Sequence, residues 1–169
     1  MTVHYGHIAW CYDTVGSAYS LGAIGRAKQW HVTRLLPGDR VLYVGAGTGR
    51  EVAAACAAHP DIEVVCVEPC GAMARRLRRR LAPWGERVTV IEEPLRAAEG
   101  GGEFDWVCGH FFFNVFGARA MPGVLAMVAA HVKPGGRLVV ADFAATGSRS
   151  TSRDREGADQ QPGVDTGQG

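Results

Sequence analysis

The sequence predicts an α/β fold, a doubly wound and mainly parallel sheet with helices on both of its faces. Three observations carry that expectation. Strand-like and helix-like patterns alternate from residue 40 onward. Several of the strand segments are continuous apolar runs, as strands buried on both faces must be. The first of them stops in a glycine turn that opens directly into a helix, "VLYVGAGTGREV" at 41–52. A chain of 169 residues, 47% of them hydrophobic, is long enough for one domain with a substantial core and short for two. The expected domain spans 1–146, with 1–36 as a helical cap and 37–146 as the core.

Taken in order, residues 1–36 hold no strand signal, but "AYSLGAIGRAKQWHVTRLL" reads as helical and is expected to cap the sheet. "RVLYVG" (40–45) is the first strand, and "REVAAACAAH" after the turn is an alanine-rich helix ended by Pro60 and Asp61. "IEVVCVE" (62–68) is the second strand. "GAMARRLRRRLAPW" (71–84) is a helix with Met73, Leu77 and Leu81 on one face at four-residue spacing. "RVTVIE" (87–92) is a third, short strand. A glycine run at 100–102 leads to a fourth strand from Phe104, whose carboxyl end lies near Gly109 and His110. Residues 121–132 read as a helix closed by "KPGG" (133–136), where proline and glycine stop it and turn the chain into a fifth strand, "RLVVADF" (137–143). Beyond Phe143 the only large apolar residue is Val164, so 147–169 is expected to be a disordered tail.

Composition excludes several function classes. A net charge of +1 offers no electrostatic footprint for nucleic acid. The longest apolar stretches are broken by His59, Arg119 or Pro122, so no transmembrane segment is predicted. Cys11, Cys56, Cys66, Cys70 and Cys108 form no C-x-x-C pair and follow no charged-then-apolar leader, which reads as reduced thiols in a cytoplasm. Cys66 and Cys70 flank a strand end, but no second ligand pair has suitable spacing. They read as small apolar residues, and no metal is assigned.

A strand, a glycine turn and a helix in succession expose backbone N–H groups at a helix N-terminus, a ready site for a polar or anionic ligand. Gly45, Gly47 and Gly49 give G-x-G-x-G with Arg50 at the sixth position, where a dinucleotide fingerprint needs glycine. The absence of G-K-[ST] excludes a triphosphate loop. Glu68 ends the second strand, beside the first in a doubly wound sheet, and can accept hydrogen bonds from both hydroxyls of a ribose.

"VLYVGAGTG", the strand-terminal Glu68, "EFDWV" and "VKPGGRLVVADF", in order over residues 38–143, together resemble a class I S-adenosylmethionine-dependent methyltransferase. "YDTVGSAYSLGAIGRAK" is similar to the N-terminal segment of ubiquinone/menaquinone-type methyltransferases. The resemblance implies a Rossmann-like fold. It places Gly45, Ala46, Gly47, Thr48 and Gly49 under the methionine portion of S-adenosyl-L-methionine and Glu68, followed by Pro69, at the ribose. Met73 would line the adenine, Glu93 would contact its amino group, and His110 would face the sulfonium. Tyr12 and Tyr19 are candidates to close over the cofactor from the N-terminal segment, with simple packing as the alternative. Two departures stand out. Many family members carry an acid where this chain has Tyr43. The family also adds a terminal β-hairpin beside the fifth strand, for which 144–169 offer no pattern. Strand 137–143 would then be an edge to be covered by a second copy or a partner chain.

His110 is the candidate general base, although packing at the strand end is the favoured reading, and transfer from an activated sulfonium needs chiefly in-line positioning. "FFFNVF" (111–116) reads as core for at least half its aromatics, and Arg75, Arg76, Arg78, Arg79 and Arg80 as a solvated helix face. The expected function is S-adenosylmethionine-dependent methylation of a small molecule. The alternative is a non-catalytic, cofactor-binding chain that works through a partner.

Overall fold

The computed structural model describes residues 23–96 and 102–142. Expectations for Tyr12, Tyr19, most of the cap, the terminal hairpin and the tail fall outside these residues. The described elements run α1 (Ala23–Gln29), a 3-10 turn (Val32–Arg34), β1 (Arg40–Val44), α2 (Arg50–Ala58), β2 (Glu63–Val67), α3 (Gly71–Leu81), a 3-10 segment (Ala82–Arg87), β3 (Val88–Ile91), β4 (Phe104–His110), a 3-10 turn (Phe113–Val115), α4 (Met121–Ala129) and β5 (Val132–Ala141).

The five strands form one sheet in the order β3-β2-β1-β4-β5, and every pairing is parallel. The chain lays down β1, β2 and β3 to one side and then returns past β1 for β4 and β5. Strand order therefore reverses between β1 and β4, and parallel sheets hold their ligands in the crevice outside the carboxyl ends at such a point.

Alternation along β1 explains the continuous apolar run. Val41 and Tyr43 pack on one face with Val52, Ala55, Leu77 and Leu81 from α2 and α3. Leu42 and Val44 pack on the other with Phe113 and Val128. Burial on both faces of a parallel sheet removes the polar half of the period-two pattern. Asp39 anchors the amino end: its Oδ2 accepts the Leu36 N–H at 2.8 Å and the indole N–H of Trp106 at 2.9 Å. Asp105 accepts the Arg40 N–H at 3.0 Å. These bonds fix β4 against β1 at the end opposite the crevice.

The "KPGG" segment departs from expectation. It lies inside β5, which begins at Val132, and α4 has already ended at Ala129. Phe104 pairs with Val132 and Trp106 with Arg137, so the extra residues of β5 are taken up in a bulge. Gly135 adopts φ +80°, and a Cβ on Gly136 would come within 2.9 Å of the Phe104 carbonyl oxygen. Proline and glycine here shape an irregular strand, a role that local sequence cannot separate from a helix stop. The helix expected over 71–84 ends at Leu81, and Pro83 continues it only as a 3-10 segment.

Candidate active site at the carboxyl ends of the strands

The glycine turn leaves β1 with three positive φ angles, +65° at Gly45, +56° at Gly47 and +72° at Gly49. Its start is tied to β2, because Gly45 N–H and Ala46 N–H both donate to the Val67 carbonyl, at 2.9 and 3.2 Å. The three glycines answer different needs. A Cβ on Gly45 would lie 2.8 Å from the Phe112 ring, and one on Gly49 would lie 2.2 Å from Leu77 Cδ1. A Cβ on Gly47 would meet nothing within 4 Å. Gly45 and Gly49 allow protein to pack on the turn, whereas Gly47 borders open space, where a ligand can approach the backbone.

Glu68 closes the turn. Only 5% exposed, it accepts the Gly47 N–H at Oε2 and the Cys70 N–H at Oε1, both at 2.8 Å. Burial pushes its pKa up, and these two bonds oppose the rise. Each oxygen keeps a further lone pair for a ligand hydroxyl. Pro69 is exposed beside it, and Met73 is partly buried in the first turn of α3. Glu93 is exposed and pairs with Arg96 at 2.5 Å. Its neighbour Glu92 lies against the start of α3, with Oε1 2.6 Å from a Cβ built on Gly71, and pairs with Arg78 at 2.5 Å. The arginine face of α3 is thus exposed but not merely solvated: Arg80 also reaches the turn, donating to the Thr48 carbonyl at 2.5 Å and to its hydroxyl at 2.9 Å.

On the α2 side of β1 and β4 lies a buried polar cluster that sequence reasoning assembled only in part. His110 ends β4 at 6% exposure, in contact with His31, whose ring centroid is 5.2 Å away. His31 is fully buried and its Nε2 shares a 2.6 Å hydrogen bond with the Tyr43 hydroxyl. Tyr43, which stands where the resemblance led to the expectation of an acid, points to a histidine. Burial drives both imidazoles down to about 4. The neighbouring His110 adds to the fall of His31, which Glu51 and the Lys28 backbone oppose, and the Lys28 ammonium adds to that of His110. Lys28 of α1 pairs with the buried Glu51 of α2 at 3.5 Å and stands over the Phe111 ring. Nothing in the sequence linked His31 to this place, because its partners lie 12 and 79 positions away in different elements.

A family model described as a methyltransferase domain matches residues 42–138, from within β1 to within β5 and across the whole crevice. The chain belongs to this methyltransferase-domain family. Among its relatives, a protein-L-isoaspartate O-methyltransferase of Methylorubrum extorquens is 37% identical over 106 residues, covering 63% of this chain and 42% of the relative. The chain spans less than half the length of the curated relatives it matches. An O-methyltransferase family protein from Burkholderia thailandensis superimposes with a TM-score of 0.68 at 22% identity, over 89% of this chain and 46% of the other. The 1,6-didemethyltoxoflavin-N1-methyltransferase of the same organism, solved with S-adenosylhomocysteine, gives 0.65 at 23% identity over 87% and 67%. These structures share the Rossmann-like fold. Among the described residues no helix is long and apolar enough to cross a membrane.

Proposed function

We propose that this methyltransferase domain binds S-adenosylmethionine in the crevice between β1, β2 and β4 and transfers its methyl group to a small-molecule acceptor. The observation that carries the reading is the open backbone at Gly47, held by the same Glu68 carboxylate that retains lone pairs toward the crevice. A ribose fits such an acceptor. Gly45 to Gly49 would underlie the methionine portion, and Met73 would line the adenine. Glu93 or its neighbour Glu92, which lies against the start of α3, would contact the adenine amino group; each is paired with an arginine, Arg96 and Arg78 respectively. The cofactor supplies an activated methyl group. The residues of this chain supply orientation and exclusion of water, which is most of what an in-line displacement requires. His110 stands at the end of β4, where burial keeps its imidazole neutral.

A second reading has its own support: the curated relatives are named for a protein substrate. Under it the acceptor is a carboxylate on a polypeptide. Calorimetric titration with S-adenosylmethionine, S-adenosylhomocysteine and NAD tests the cofactor assignment, with binding expected for the first two and none for NAD. Binding of NAD alone would overturn it. Methyl transfer from labelled cofactor into an isoaspartyl peptide, absent with small-molecule extracts, would replace the first acceptor class by the second.

A further inference from the structure

Nε2 of His110 is buried without a hydrogen-bond partner, while the His31 ring meets the Tyr43 hydroxyl and the Lys28 backbone. Leaving such a nitrogen unpaired in a low-dielectric interior is costly, and native cores seldom tolerate it without a reason. Cys108, 1% exposed, precedes His110 by two residues on β4 and so presents its thiol to the same face. One ligand atom from each of His31, Cys108 and His110 lies within 4.8 Å of the other two.

We propose that His31, Cys108 and His110 form a binding site for a single divalent cation of the zinc class. Two imidazoles and a thiolate are a borderline-soft donor set that suits zinc rather than magnesium or calcium. Donors around a tetrahedral zinc stand about 3.3–3.8 Å apart, so closure by up to about 1.5 Å completes the geometry. The surroundings are those a metal-bound histidine uses. His31 can offer the ion one ring nitrogen while the other stays anchored by the protein, where the Tyr43 hydroxyl lies 2.6 Å from Nε2 and the Lys28 backbone also meets the ring. A Cys108 thiolate would offset one charge of a divalent ion, and the buried Glu51 carboxylate, itself paired with Lys28, stands nearby. Three protein ligands leave a fourth position for water or another small donor, the pattern of open zinc sites. The proposal stands apart from the cofactor assignment.

The test uses the full chain, stripped with EDTA and dialysed against zinc or cobalt. One zinc per chain by elemental analysis is expected. Cobalt should add tetrahedral visible bands and a thiolate-to-cobalt charge-transfer absorption. C108S should abolish the charge-transfer absorption, H110Q should weaken zinc at least tenfold, and Y43F should weaken it less. C66S, on the same face of the sheet, should leave stoichiometry and spectrum unchanged. Failure of the folded wild-type chain to retain zinc, or a cobalt spectrum without thiolate character, overturns the proposal. So does zinc retention in the C108S/H110Q double variant. The wild-type measurement decides even if a variant fails to fold.

Discussion

Replacing Glu68 probes the hinge of the site, because one buried carboxylate there holds two backbone segments. Its oxygens accept N–H groups from Gly47 and Cys70, both at 2.8 Å. Hydrogen bonds to a charged acceptor contribute roughly 1.5–3 kcal/mol each. The desolvation that raises the Glu68 pKa argues for the lower end of that range. Gly47 and Cys70 are only partly buried, so water can recover some of the loss after truncation. Glu68→Ala should therefore destabilise the fold by about 2–3 kcal/mol. Glu68→Gln keeps one acceptor and turns an amide donor toward the second N–H, and should cost about half as much. Urea unfolding followed by circular dichroism measures both, as a fall in midpoint at unchanged m-value. The affinity for S-adenosylhomocysteine should fall by a further 1.5–3 kcal/mol where the ribose loses its acceptor. An alanine variant within about 0.5 kcal/mol of wild type, binding the ligand normally, would refute the claim that this carboxylate holds either the turn or the cofactor.

The glycines should separate by role. Gly47→Ala meets no atom and should cost about 1 kcal/mol for its positive φ while weakening cofactor binding severely. Gly49→Ala, driven against Leu77, should cost roughly 2–4 kcal/mol of stability in the same denaturation assay. The histidine pair predicts an acid sensitivity. With folded values near 4 against 6.5 unfolded, the unfolded chain binds the extra protons, so stability is fully present above pH 6.5 and is lost as pH falls toward 4. Each ring should account for roughly 2 kcal/mol between pH 6.5 and 5. Denaturation of the EDTA-treated protein at several pH values checks this, and H110Q should remove its share; a flat profile would contradict the burial of neutral imidazoles. Trp106→Phe leaves the Asp39 carboxylate with one fewer donor and should cost about 1–3 kcal/mol by thermal melting, with cofactor affinity nearly unchanged because the bond lies at the far end of the sheet.

The sequence by itself determined the elements whose signal is local and dense. Buried parallel strands write themselves as runs such as "RVLYV" and "EVVCV", and both lie within a residue of their expected ends. The glycine turn and Glu68 were legible because backbone conformation and strand termini leave their mark on residue type, and the family's order of motifs tied them together. Tertiary structure decided what depends on partners distant in sequence. Only pairing with β4 shows that "KPGG" is a bulge inside β5 rather than a helix stop, since proline and glycine serve both and the choice is made by the neighbouring strand. Only packing distinguishes Gly47, facing open space, from Gly45 and Gly49, filled by Phe112 and Leu77. The His31, Tyr43, Cys108 and His110 cluster has no sequence signature at all. α1 and the turn after it bring His31 over the sheet, β1 contributes Tyr43, and β4 contributes the other two. Side chains from three parts of the chain became neighbours because burial of the apolar faces around them fixed those segments against one another, and that is a property of the whole fold rather than of any window within it.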